Sequence, residues 1–283
     1  MYEELPTERV DPEGPELDLL SPPEIARLLL REEARARTAV EGAMDAIGRA
    51  CTAAAEALKA GGRILYVGAG TSGRLGVLDA AEMAPTFGVE PGRVVAYIAG
   101  GVRALTESLE GAEDDYAAGA AIERTGRDCL VGITMSGTAA YVRGALEAAN
   151  ARRVLITANP DSPIPAGIRV VLDLGPEALA GSTRLKGGSA TKAVLNMIST
   201  AAMAGTGAVY GNLMVRVRPL NRKLRDRAER LVALLTDADR ARAAAWLREA
   251  ADDVRVAVLM GRGVPDARAR LDACGGSLRK ALE

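Results

Sequence analysis

Arg63-Ile64-Leu65-Tyr66-Val67 runs straight into Gly68-Ala69-Gly70-Thr71-Ser72-Gly73-Arg74-Leu75-Gly76, and the reading of this junction decides the fold. Five mostly apolar residues read as a short buried strand, the glycines as a tight turn, and the residues beyond as a helix. Further apolar runs follow at Val94–Ile98, Cys129–Ile133, Val154–Thr157 and Val170–Leu174, with helical segments between most of them. Continuous apolar strands alternating with helices specify a parallel sheet covered on both faces. The five runs predict an α/β fold, a doubly wound five-stranded parallel sheet in an αβα sandwich. Ligands of such sheets bind at the carboxyl ends of the strands.

Upstream, residues 1 to about 20 read as an extended, Pro-containing arm. Ser21-Pro22-Pro23-Glu24 reads as a helix start, with Ser at the N-cap, Pro at N1 and a carboxylate in the first turn. Helical patterning continues to about Lys59, with a break expected near Arg37 to Val40, and Gly61-Gly62 stops it. Downstream, from about Pro219, the chain is charged and helical: two longer segments and then two shorter pieces. The expected organisation is N-terminal arm and helices over 1–54, a sheet domain over 55–218, and a small C-terminal helical domain over 219–283.

Composition narrows the function. The 283 residues carry 36 basic and 37 acidic side chains, a net charge of −1, and no histidine. A balanced charge argues against a nucleic-acid binder held by phosphate contacts. Without histidine there is no Ser-His-Asp triad, no Cys-His pair and no histidine-ligated zinc. Any general acid or base is then a carboxylate, Lys, Tyr or Cys. Cys51, Cys129 and Cys274 are far apart and odd in number, which fits reduced thiols in a cytoplasmic protein. The acidic N-terminus lacks the apolar core of a secretory signal. Ala193–Val215 is uncharged and long enough to span a bilayer. Its Asn196, Ser199, Thr200, Thr206 and Asn212, and its breaks at Gly205, Gly207 and Gly211, favour burial in a core or a subunit interface.

Four motifs carry possible chemistry. Gly68–Gly76 offers backbone N–H groups, a helix N-terminus and the hydroxyls of Thr71 and Ser72 to an anion. It is not a Walker A loop. Gly68, Gly70 and Gly73 match G-x-G-x-x-G, but Glu90 precedes the next strand, where a ribose-binding acid would follow it. A plain tight turn is the alternative. Thr134-Met135-Ser136-Gly137-Thr138 ends another strand, and two such loops on one parallel sheet can converge on one phosphate. The alternative is helix capping by Ser136 or Thr138. Gly181–Ser189 places Arg184, Lys186 and three hydroxyls ahead of a helix, a loop for a carboxylate or phosphate or simply a solvated one. Last, Glu82 lies among Ala, Met and Pro, a setting that suggests a low-dielectric pocket and a raised pKa. Glu113 lies in an acidic run whose carboxylates are most simply solvated.

Taken together, RILYVGAGTSGRLGVLDAAEMAPTFGV, AGG, EGAEDD, GSTRLKGGSATKAVLNMIST, GNLMV and N-x-K-L resemble the N-acetylmuramic acid 6-phosphate etherases, from about Glu8 to the C-terminus. The resemblance implies a sugar isomerase (SIS) fold with a C-terminal helical domain, a cytoplasmic homodimer, and no metal or organic cofactor, membrane or nucleic-acid partner. It implies a lyase that cleaves the D-lactyl ether of a sugar phosphate. Glu82 and Glu113 match the catalytic glutamates. Thr71, Ser72, Ser136 and Gly137 match sugar-phosphate-binding positions, and Ser182 and Arg184 match a substrate-facing loop. Asn221 and Lys223 match an Asn-x-Lys that helps hold the sugar phosphate in the related glucokinase regulatory protein.

The sequence departs from the family pattern in places. Where the family's phosphate loop has Arg-Thr, this chain has Thr138-Ala139, so one cation and one hydroxyl leave their places. Thr138 offers a hydroxyl one position earlier, turned by roughly 100° at a helix start. Ala84 replaces a proline, and Gly187-Gly188-Ser189-Ala190-Thr191-Lys192 replaces A-G-T-A-Q-K. Two further functions share the fold: a non-catalytic sugar-phosphate sensor, and an aldose–ketose isomerase.

Overall fold

The computed structural model describes residues 3–109 and 111–283. In chain order the elements are α1 (Pro22–Gly42), α2 (Met44–Lys59), β1 (Ile64–Gly68), α3 (Gly70–Phe87), β2 (Val94–Ile98), α4 (Tyr116–Ala120), β3 (Cys129–Ile133), α5 (Ala140–Glu147), β4 (Arg152–Thr157), β5 (Ile168–Val171) and α6 (Lys186–Ala204). A two-stranded hairpin follows, β6 (Val209–Tyr210) and β7 (Leu213–Met214). Five helices end the chain: α7 (Arg222–Thr236), α8 (Arg240–Glu249), α9 (Val254–Gly261), α10 (Ala267–Ala273) and α11 (Leu278–Leu282). The chain divides into two compact units, Met1–Ala81 with Gly92–Ser199, and Glu82–Pro91 with Thr200–Glu283.

The first unit holds the five-stranded sheet in the order β2-β1-β3-β4-β5, every pairing parallel. β1 and β3 are buried along their whole length, as their unbroken apolar runs require. Val67 and Leu155 join Tyr141, Val142 and Leu146 of α5 in one core cluster. On the opposite face, a Cβ on Gly76 of α3 would stand 3.0 Å from Cβ of Tyr66 and 3.5 Å from Cδ1 of Ile133. The sheet is therefore covered on both faces, and the expected sandwich is present.

Two boundaries differ from expectation. The break between the first helices lies at Ala43 (φ −95°, ψ 5°), and α1 continues through the expected site, where Arg37 and Glu41 form an i,i+4 ion pair (2.8 Å). Glu24 accepts from the Ser21 N–H (2.8 Å) and hydroxyl, fixing the start of α1 as anticipated. The uncharged 193–215 stretch is not one helix: it splits between α6 and the β6–β7 hairpin. Among the described residues no helix is long and apolar enough to cross a membrane.

In the second unit the helices bury amphipathic stripes against one another. Leu224, Ala228, Leu231 and Val232 of α7 share a core with Leu247 of α8, Val254, Val256, Ala257, Val258 and Leu259 of α9, Leu271 and Leu278. Three short helices, rather than two, follow α8. The turn at Gly275 and Gly276, both at positive φ, separates the last two.

Candidate sugar-phosphate site

The strand order creates the site. From β1 the chain crosses by α3 to β2 on one side, and from β3 by α5 to β4 on the other. The crevice at such a reversal lies outside the carboxyl ends of the two central strands. Here the last residues of those strands are in register, Gly68 with Ile133. The loops that follow them, 69–73 and 134–139, therefore sit side by side.

The first loop is a strand-to-helix turn without room for side chains. A Cβ on Gly68 would stand 2.7 Å from the Gly73 nitrogen, and one on Gly73 would stand 2.6 Å from Cγ1 of Ile98. These glycines bring the start of α3 back over β1, with Thr71 and Ser72 half-buried in its first turn. Their hydroxyls and the helix N–H groups share one place, suited to an anion.

The second loop is braced from behind. Asn159 donates to the Ser136 carbonyl (2.9 Å) and Ser162 donates to the Gly137 carbonyl (2.6 Å). Gly137 has φ +72°, which a side chain would strain. The Ser136 and Thr138 hydroxyls lie 2.9 Å apart, and Thr134 Oγ1 is 3.3 Å from Ser136 Oγ. Neither Ser136 nor Thr138 caps α5: the N-cap position is Ala139, and no side chain caps it. The N-terminus of α5 is thus left open beside a row of hydroxyls, and Thr138 takes its place in that row.

The third loop approaches from α6. A Cβ on Gly188 would lie 3.9 Å from Cγ2 of Thr71, and the Thr191 hydroxyl is 3.6 Å from the Met135 sulfur. Arg184 is exposed and Ser182 half-buried at the head of this segment. Lys186 is not a free cation. Its ammonium is fully buried, ion-paired with Glu32 at 2.6 Å and bonded to the Pro176 carbonyl. The first N–H groups of α6 are occupied as well: Glu177 accepts from Gly187 N (2.9 Å) and Lys186 N (3.3 Å). Burial pushes the Glu177 carboxyl up, with those bonds opposing it. The anion at this helix start belongs to the chain itself.

Glu113 lies in the 3-10 turn Ala112–Asp114 and is exposed. Its neighbour Ala112 packs against the cluster that contains Ala99, Ala139 and Tyr141, which sets the turn by the ends of β2 and α5. Glu82, on α3 and in the second unit, is also exposed. The expectation of an apolar pocket around Glu82 is therefore not met, because Ala81 and Ala84 are exposed as well and only Met83 turns into the core. The carboxylate that is buried on α3 is Asp79. It accepts from the hydroxyl of Tyr66 (2.8 Å), from Asn196 (2.8 Å) and from Ser199 (3.1 Å). Sequence reading missed Asp79, Glu177 and the pairing of Lys186. A signal for the first was present: Asn196 and Ser199, one helical turn apart in an uncharged stretch, need a polar partner.

Asn221 and Lys223 belong to the second unit. Asn221 is the N-cap of α7, its side chain accepting from Leu224 N at 2.9 Å. Lys223 is exposed in the first turn of the same helix.

Known proteins resemble this chain over nearly its whole length. It is 49% identical to an N-acetylmuramic acid 6-phosphate etherase from Gloeobacter violaceus, across 99% of this chain and 95% of that one. A protein of the same name from Rubrobacter xylanophilus is 49% identical over 99% of this chain and 96% of its own. The chain belongs to the N-acetylmuramic acid 6-phosphate etherase family. The family model of the glucokinase regulatory protein N-terminal SIS domain matches residues 46–150, which include both central strands and both loops. A Bacteroides fragilis protein described as a phosphosugar isomerase involved in capsule formation shares the fold, with TM-score 0.50 and 19% identity. That likeness covers 70% of this chain and 98% of the other. In this chain the paired hydroxyl loops lie at the switch point because the strand order places them there.

Proposed function

We propose that this chain cleaves the D-lactyl ether at C3 of N-acetylmuramic acid 6-phosphate, giving N-acetylglucosamine 6-phosphate and D-lactate. The near-full-length identity to etherases carries the reading. The chemistry suits a protein without histidine. In the open-chain sugar the C1 aldehyde acidifies the C2 proton. A carboxylate removes it, and the electrons expel the C3 lactyl oxygen, which takes a proton from an acid. Water then adds at C3 of the unsaturated aldehyde and a proton returns to C2. Glu82 and Glu113 are the two carboxylates assigned to these transfers.

The phosphate is assigned to Thr71, Ser72, Ser136, Gly137 and Thr138. The adjacent loops, the open α5 N-terminus and the lateral bracing by Asn159 and Ser162 support that assignment. Ser182 and Arg184 are assigned to the sugar, and Asn221 and Lys223 to the phosphate. The Asn221 oxygen is engaged as a helix cap, so its amide N–H group remains for a ligand.

The reading carries with it a cytoplasmic homodimer. Exposed Met44 (47%) and Met197 (37%) border a groove with Ala36, Val40, Ala190 and Ala193, an apolar surface suited to a second copy. Light scattering at micromolar concentration should give twice the chain mass, and a monomer would remove that assignment.

The decisive assay is release of D-lactate from the sugar phosphate by the purified protein. Lactate from the wild type, with at least a hundredfold less from Glu82→Gln, supports the reading. Binding without lactate would point to a sensor. Neither binding nor lactate would refute the substrate assignment.

A further inference from the structure

The second unit contains a cavity that the proposed reaction does not use. It has a volume of about 410 Å³ and is lined by Gly88, Glu90, 215–220, 251–255 and Arg268. Four of these residues are arginines: Arg216, Arg218, Arg255 and Arg268. Their charges are unevenly matched. Arg218 pairs with Glu90. Asp253 is shared between Arg255 (2.9 Å) and Arg268 (3.1 Å), while also capping α9. Asp252 is taken by Arg225 outside the cavity, at 2.9 Å. Arg216 has no carboxylate or carbonyl partner among the described residues. The lining therefore holds four guanidinium groups against two carboxylates, Glu90 and Asp253, not engaged elsewhere.

The backbone of Arg216 is held in place. It follows the β6–β7 hairpin between buried Val215 and Val217, and its carbonyl closes on Gly88, where any Cβ would collide. Its guanidinium is half-buried. Burial, then Arg255 and Arg218, push it below its ordinary value, with Asp253 and Glu90 opposing them. A partly desolvated arginine beside other arginines is unfavourable for the free protein. It becomes favourable when an anion enters, because a guanidinium fork matches the paired oxygens of a phosphate or carboxylate. The volume is in the range of small-molecule sites, roughly 300–1,000 Å³.

We propose that this cavity is a binding site for a small phosphate-bearing dianion, with Arg216 as its principal ligand and the charges of Arg255 and Arg268, whose donors engage Asp253 and the Gly276 and Ala250 carbonyls, beside it. A surplus of two positive charges fits a dianion better than a monoanion. The site lies wholly within the second unit and uses neither loop of the sheet, so it stands whether or not the reaction assigned above is correct.

The probe is inorganic phosphate, titrated calorimetrically at constant ionic strength into the full-length Ser72→Ala/Ser136→Ala variant, which weakens the other phosphate site. Saturable binding is expected. Arg216→Met in that background should raise the dissociation constant by on the order of tenfold or more. Arg216→Lys, which keeps the charge and loses the fork, should fall between. Without phosphate, Arg216→Met should melt at or above the temperature of its parent, since it removes an unpaired, desolvated charge. Absence of saturable binding in the parent would overturn the proposal. So would unchanged binding in Arg216→Met, or a marked loss of stability in that variant without phosphate.

Discussion

The Tyr66 hydroxyl on β1 donates a 2.8 Å hydrogen bond to Asp79 on α3, and both groups are buried beneath the crevice. Asn196 and Ser199 of α6 donate to the other oxygen of the same carboxylate. One side chain therefore joins the central strand, the helix that begins with Thr71 and Ser72, and the helix that begins with Lys186. The loops of the site are the free ends of elements locked at this point.

Asp79→Ala should destabilise the protein by about 2 kcal/mol or more, because it takes the acceptor from the buried Tyr66 and Ser199 hydroxyls, at about 1–3 kcal/mol each, and from the half-buried Asn196 amide. Asp79→Asn keeps the shape, accepts from Asn196 and Ser199, and can donate to a rotated Tyr66 hydroxyl. It should cost far less. Burial pushes the Asp79 carboxyl above its ordinary 3.8, with the Tyr66, Asn196 and Ser199 bonds opposing. The folded state then holds the proton more tightly than the unfolded chain, so this contribution is complete below pH 3.8 and is lost as pH rises through the folded value. Relative to Asp79→Asn, the wild type should lose stability across that window. Equal denaturation midpoints for the Ala and Asn variants would contradict the network.

Lys186→Met should be more damaging than its surface-like loop suggests. It removes the closer of two cations from Glu32, leaving Arg35 at 3.3 Å, and leaves the Pro176 carbonyl without its donor. Breaking one side of a buried pair costs about 3–5 kcal/mol. The double variant Lys186→Met/Glu32→Leu should recover part of that loss. If the single variant unfolds within about 1 kcal/mol of the wild type, the ion pair does not hold α1 to α6.

Much of this architecture is legible in the sequence, and the misses have physical causes. Val94–Ile98 and Cys129–Ile133 form strands with the limits their apolar runs give. β4 begins earlier than its run, at Arg152, and β5 begins at Ile168 rather than Val170. In both, arginines enter the strand because their charged ends find partners beyond it: Arg152 with Glu56, and Arg169 with the carbonyls of Ser162 and Ile164. The two hydroxyl loops are visible as motifs because glycine spacing is local. The roles of Asp79, Glu177 and Lys186 are not, since each depends on a partner brought near by tertiary packing. Glu82 shows the converse: apolar neighbours in sequence do not bury a side chain on the outer face of a helix.

Glu82→Gln and Glu113→Gln should separate catalysis from folding. Both residues are exposed, so each substitution should leave stability within about 0.5 kcal/mol. Each should still lower lactate release by a factor on the order of 10² or more. Full activity in either variant would remove that glutamate from the proton transfers.

At the amino ends of the strands, Asp128 offers the opposite pH signature to Asp79. It is buried, accepts from the Arg63 N–H at 2.8 Å and the Thr125 N–H at 2.7 Å, and pairs with the Arg63 guanidinium at 2.8 Å. Desolvation opposes ionisation, but the Arg63 pair and the backbone donors outweigh it and hold the carboxyl below its ordinary value. The unfolded chain then binds the proton more tightly, so this stability is complete above the ordinary carboxylate range and is lost as pH falls through the folded value. Asp128→Asn should lower the melting temperature at pH 7 and flatten its decline in acid, while leaving lactate release per folded molecule unchanged. A variant whose acid-induced loss of stability is as steep as the wild type's would show that another carboxylate governs that limb.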